Sequence, residues 1–122
     1  MNVLVIGATG LTGKLAVKKL LARGHAVTAF ARTPADVTER HEKLRVAEGD
    51  ARKQESLDGA ILGQDAVLVA FGPRSLAKDD VQETFARNLI LAMHKAKVKR
   101  LVELSAWGAG SSKPQMKFLF KI

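Results

Sequence analysis

Asn2-Val3-Leu4-Val5-Ile6-Gly7-Ala8-Thr9-Gly10-Leu11-Thr12-Gly13 is the stretch on which the fold turns. Val3 to Ile6 are continuously apolar, as in a strand buried on both faces. Beyond the glycines a helix is expected from about Leu11 to Arg23, because Gly13, Ala16, Val17 and Leu20 recur at the spacing of one helical face. A buried strand, a glycine-rich turn and an amphipathic helix, in that order, form the context that the dinucleotide fingerprint requires. Gly7 permits the tight turn off the strand, Gly10 lets the backbone approach a pyrophosphate, and Gly13 lets the helix pack closely on the sheet. Thr9 lies in the turn, and the amides from Gly10 through Leu11 and Thr12 are expected to receive phosphates at the positive end of the helix dipole. Lys14 follows the last glycine, but the spacing of a Walker motif is not met.

The rest of the chain repeats this alternation. Apolar runs predict strands at Ala26 to Ala31, Leu44 to Glu48, Ala66 to Phe71 and Arg100 to Leu104. Gly24 ends the first helix. Thr33-Pro34 resembles the cap and first position of a short helix. A further helix is expected from Asp50 through roughly Leu57, with one more turn to Gly63. Another runs from about Asp79 to Lys97, with Val81, Phe85, Leu89, Ala92 and Ala96 on one face. Strands alternating with helices predict an α/β protein of the Rossmann type: a doubly wound parallel sheet, three-layer α/β/α, in strand order 3-2-1-4-5. Residues 1–122 are read as a single domain. Ser105 to Pro114 reads as a loop. The apolar segment Met116, Phe118, Leu119, Phe120, Ile122 stops at the last residue, so the domain is expected to be incomplete at its C-terminus. Strand five would then be an open edge, and self-association through that face is expected.

Composition narrows the function. The 122 residues contain no cysteine, which excludes disulfides and thiolate chemistry, and the three histidines (His25, His41, His94) lack metal-ligand spacing, so no metal site is expected. No apolar run reaches the length of a membrane span or follows a basic leader, and the expected location is cytoplasmic. The net charge of +8 raises the question of nucleic acid. Its densest cluster, Lys95, Lys97, Lys99 and Arg100, falls where a long helix should end, and cations there complement the dipole. No nucleic-acid motif or aromatic interleaving accompanies it. A basic surface equally suits a protein that gathers an anionic cofactor and an acidic small-molecule substrate.

The strand ends supply the other candidate residues. A site selective for NAD places an acid about 20 residues beyond the glycines, whereas this chain has Ala31-Arg32-Thr33 there. Arg32 is suited to pair with a 2′-phosphate and Thr33 adds a hydroxyl donor, so NADP is expected rather than NAD. Otherwise Arg32 is a solvated loop cation. Asp50 either accepts from the adenine amino group or caps the helix after it. Ligands of open α/β sheets lie beyond the carboxyl ends of strands. Phe71 and Gly72 are therefore candidates to line the cofactor ribose, Arg74 to meet phosphate or an acidic substrate, and Ser105 to hydrogen-bond substrate or nicotinamide. For these segments ordinary loop packing is the alternative.

Taken in order, GATGLTG, FART, EGD, DAVLVAFG and VKRLVELSAWG resemble the atypical short-chain dehydrogenase/reductases. The kinship is with the NAD(P)H-binding group that includes biliverdin-IXβ/flavin reductases and NmrA-like proteins. The resemblance implies Gly7, Gly10 and Gly13 at the pyrophosphate, Arg32 at the 2′-phosphate and Asp50 near adenine. It places Phe71 and Gly72 near ribose and Ser105 near the nicotinamide. It implies either a reductase core that passes hydride to a flavin, quinone or tetrapyrrole, or a non-catalytic NADP sensor. The chain departs from the usual pattern in having no tyrosine, hence no Tyr-x-x-x-Lys proton donor, and family members are longer.

Overall fold

A computed structural model describes the backbone of residues 1–70, 79–107 and 115–121 and the side chains of 1–70 and 84–103. Among the described residues six strands and three α-helices follow one another: β1 (Asn2–Ile6), α1 (Leu11–Ala22), β2 (Ala26–Ala31), β3 (Leu44–Glu48), α2 (Gln54–Ile61), β4 (Ala66–Val69), α3 (Asp79–Ala96), β5 (Arg100–Trp107) and β6 (Gln115–Lys121). The sheet order is β3-β2-β1-β4-β5-β6. The first five strands run parallel in the expected order 3-2-1-4-5, with β1 central and paired to both β2 and β4.

Alternation along β1 divides the core. Val3 and Val5 face one side, where Ala16, Val17 and Leu21 of α1 cover them together with Val27, Ala29 and Leu68. Leu4 and Ile6 face the other, against Leu57 and Ile61 of α2 and Phe85, Leu89, Ala92 and Met93 of α3. Leu21 is buried, whereas the expected Leu20 packs at the margin. Both long helices stop in the same way. After α1, Gly24 adopts φ +87 and the His25 N–H reaches back to the Leu20 carbonyl at 3.1 Å. After α3, Lys97 takes that left-handed role with φ 59, and the Val98 N–H bonds the Met93 carbonyl at 2.9 Å. Between β2 and β3 a short 3-10 helix forms, Pro34–Asp36, with Thr33 at the N-cap position and Pro34 first, as expected.

Three expectations are corrected. Strand five is not an edge: β6 pairs with it antiparallel from Leu101↔Lys121 to Trp107↔Gln115. The sheet is mixed, and the edge argument for self-association loses its premise. Hydrogen bonding to β6 also carries β5 through Trp107, so Ser105 sits within a strand rather than at the start of a loop. Finally, Asp50 does not cap the following helix, which begins at Gln54 behind Lys53. Among the described residues no helix is long and apolar enough to cross a membrane, and no cluster of three or more His, Asp or Glu is placed to hold a metal.

Candidate cofactor site at the strand ends

The glycine turn starts where β1 leaves the core. Gly7 has φ +88, a conformation that side chains with a β-carbon rarely adopt, and its carbonyl accepts the Gly10 N–H at 3.4 Å. Gly10 is extended (φ −75, ψ 169), and its own carbonyl receives the first helical bond, from the Lys14 N–H at 2.9 Å. The amides of Leu11, Thr12 and Gly13 therefore precede the first intrahelical bond. No side chain caps this terminus and no acid stands in its first turn. A helix start left open in this way concentrates N–H donors and the positive dipole end on whatever anion arrives. Thr9, Gly10 and Leu11 are exposed there, Thr12 is half-buried, and Gly13 is buried beneath them.

The last two glycines have different reasons to be glycine. A β-carbon at Gly13 would collide with the Gly7 carbonyl group and stand 2.8 Å from the Ala8 Cα, so the close seat of α1 on β1 requires its absence. A β-carbon at Gly10 would meet only the Gly7 oxygen, at 3.8 Å, an ordinary contact. The fold does not demand glycine at position 10.

Arg32 and Thr33 follow β2 directly and both are exposed. The Thr33 hydroxyl does not cap the turn behind it. The end of β3 is tied to the same ledge by the Gly49 N–H, which donates to the Ala31 carbonyl at 3.0 Å. Gly49 went unremarked in the sequence, yet a β-carbon there would lie 2.7 Å from two ring carbons of the buried Phe30. An aromatic residue facing the ledge from the neighbouring strand was the available signal.

Asp50 comes next, and it is engaged. Its Oδ1 accepts the Arg52 backbone N–H at 2.9 Å and Arg52 Nε at 3.1 Å, while Oδ2 accepts Arg52 Nη2 at 2.9 Å. These bonds, chiefly those from the Arg52 side chain, hold the Asp50 carboxyl at about 2, below the ordinary 3.8. Sequence reading singled out Asp50 and missed Arg52, whose partner is visible only once the chain turns.

The structure thus brings Gly7, Thr9, Gly10, Leu11, Thr12 and Gly13 together in one turn, and sets Arg32, Thr33 and Asp50 at adjoining strand ends. Phe71, Gly72 and Arg74 lie outside the described residues. Ser105 is placed by its backbone in β5, opposite Lys117. A groove of about 410 Å3 runs beside this ledge, between Leu11, Lys14, Leu15 and Lys18 of α1 and residues Val37 to Glu39.

Comparison with known proteins agrees with this geometry. Residues 7–121 match the model of a family described as NAD(P)H-binding. The chain is 37% identical to sterol demethylase protein B of Methylococcus capsulatus, over 94% of this chain and 37% of that protein. It is 34% identical to cinnamoyl-CoA reductase 1 of Oryza sativa subsp. japonica, over 92% of this chain and 36% of that one. Among solved structures, an oxidoreductase from Lactococcus lactis superposes with a TM-score of 0.74 at 29% identity, covering 87% of this chain and 48% of its own. The chain therefore spans little more than a third of the length of these two relatives. With a strand–glycine turn–helix cradle, the 3-2-1-4-5 sheet and a family match over nearly its whole length, this chain belongs to the NAD(P)H-binding family.

Proposed function

We propose that the chain is the cofactor-binding core of an NADPH-dependent reductase whose acceptor is a small molecule such as a flavin, quinone or tetrapyrrole. The observation that carries this reading is the uncapped start of α1 beside Gly10, with Arg32 exposed at the neighbouring strand end. The amides of Leu11 and Thr12 and the turn at Gly7, Thr9 and Gly10 hold the pyrophosphate, and Gly13 seats the helix that presents them. Arg32 pairs with the 2′-phosphate and Thr33 donates to it, which favours NADP over NAD. Asp50 accepts from the adenine amine. Phe71 and Gly72 border the ribose, Arg74 meets phosphate or an acidic group of the substrate, and Ser105 hydrogen-bonds the nicotinamide or the acceptor. A dihydronicotinamide held there would supply the hydride, two electrons and one proton, that the acceptor takes up. The chain's part is orientation and electrostatics. Its second proton comes from solvent, because the sequence has no tyrosine and a serine is a poor acid near neutral pH.

That missing tyrosine favours a second reading, a non-catalytic NADP sensor. One experiment separates them: titrate NADPH by its fluorescence, then follow its oxidation with a panel of flavins and quinones. Binding with turnover supports the reductase. Binding without turnover on any acceptor supports the sensor, and no binding of NADPH overturns both.

A further inference from the structure

The Asp50–Arg52 pair is more elaborate than a surface ion pair needs to be. Arg52 reaches Asp50 through Nε, Nη2 and its own backbone N–H, and the Lys53 N–H donates to the Asp50 carbonyl at 2.9 Å. The Arg52 main chain is in turn tied to α3, because Asn88 Nδ2 donates to the Arg52 carbonyl at 2.9 Å. Gln54 Nε2 then bridges the Asn88 carbonyl at 3.0 Å and Asp58 Oδ1 at 2.9 Å. Loop, α2 and α3 thus fix one carboxylate at the cofactor ledge. The Arg52 side chain is 58% exposed and that of Asp50 21%, and such a pair adds little to folding stability. Its chemical effect is on acceptor capacity. Among the described residues, Oδ1 has spent both of its lone pairs on Arg52, whereas Oδ2 has spent one and retains one. Its electrostatic effect is to cancel the Asp50 charge, so that an anion meeting Arg32 at the next strand end is not repelled by a bare carboxylate.

We infer that Arg52 is a positioning residue for base recognition: it holds Asp50 with a single open acceptor on Oδ2, which selects the 6-amino group of adenine over the 6-oxo group of hypoxanthine. The inference rests on the reading of Asp50 as the adenine partner. A carboxylate in this state accepts from the 6-amino group of adenine and repels the carbonyl oxygen that hypoxanthine carries at the same position, although hypoxanthine also turns N1 from an acceptor into a donor. The freedom of Asp50 to rotate, and to accept elsewhere, is what Arg52 removes.

The test compares dissociation constants for NADPH and for its hypoxanthine analogue (reduced nicotinamide hypoxanthine dinucleotide phosphate) in the parent, Arg52→Met and Arg52→Lys. The expected result is a preference for NADPH of roughly tenfold in the parent, falling below about threefold in Arg52→Met and partly restored in Arg52→Lys. Thermal melts report whether each variant folds. A merely structural role for Arg52 would weaken both nucleotides alike and leave the ratio where it was, and that outcome overturns the inference. A parent that binds both nucleotides equally well overturns it too, while leaving the cofactor site standing. A parent that binds neither removes the site itself.

Discussion

Substituting Gly13 and Gly10 separately by alanine should divide folding from binding. At position 13 the new methyl would stand 2.7 Å from the Gly7 carbonyl carbon and 2.8 Å from the Ala8 Cα, against ordinary contacts of 3.4 Å and beyond. Both neighbours are backbone in the tight turn and the Gly7 oxygen is closer still, so α1 must lift by more than about 1 Å, disturbing its burial of Ala16, Val17 and Leu21. Overpacking of this kind costs about 1–3 kcal/mol, and the clash with backbone places it at the upper end; the gain of about 1 kcal/mol from replacing a helical glycine offsets part of it. The net expectation is a loss of about 2 kcal/mol, read as a lower urea midpoint by circular dichroism. At position 10 the methyl meets only the Gly7 oxygen at 3.8 Å, and φ −75 suits alanine. Stability should change by no more than about 1 kcal/mol, the difference between glycine and alanine as an N-cap. NADPH affinity, followed by fluorescence titration, should fall at least roughly tenfold because the β-carbon occupies the pyrophosphate's approach. A Gly13→Ala variant as stable as the parent would refute the steric argument. A Gly10→Ala variant that binds NADPH normally would refute the cradle.

Arg32→Asp should weaken NADPH by roughly 10- to 100-fold and NADH much less, with the parent's preference shrinking as salt rises; equal losses for both nucleotides would remove Arg32 from the discrimination. The Asp50 carboxyl is depressed in the folded chain, from 3.8 to about 2, so its stabilisation is whole above pH 4 and disappears as pH falls from about 4 to 2. Solvent screening limits that contribution to less than about 1 kcal/mol, and Arg52→Met should flatten the acid limb of a stability–pH profile in that window only. Lys97→Gly relieves a left-handed residue at the end of α3 and should stabilise the fold by about 0.5–1 kcal/mol, measured by urea melts, whereas Lys97→Ala should not.

The parallel part of the sheet was legible because each of its elements advertises itself locally. Val3 to Ile6 are uniformly apolar, the glycines fall at the spacing of a phosphate turn, and Phe85, Leu89 and Ala92 mark one side of a helix. What the reading missed depends on pairing at a distance. Gln115-Met116-Lys117-Phe118 does alternate polar with apolar, the period of a strand, but that β6 closes the edge at Leu101 to Trp107 is a matter of register. Gly49 makes sense only when Phe30 is beside it, and Arg52 only when the loop after β3 folds its guanidinium back on Asp50. The glycine turn was legible in sequence because its residues are contiguous. The ledge beside it, Arg32, Thr33 and Asp50, was legible only in part, because it is assembled from the ends of two strands.

The central place of β1 also bears on how the chain is made. Its partner β2 is synthesised within some twenty residues, but its other partner, β4, pairs Ala66 with Val3 and Val69 with Ile6, roughly sixty residues downstream. At about 5–20 residues per second, an emerging chain carries Val3 to Ile6 for about 3–12 s with one hydrogen-bonding edge unfilled. During that interval this apolar run is a template for any extended segment nearby, a neighbouring nascent chain included. Slower translation between residues 31 and 66 lengthens the exposure and faster translation shortens it. The same centrality that lets β1 deliver its glycine turn to the middle of the ledge thus makes the yield of folded protein sensitive to the tempo of its synthesis.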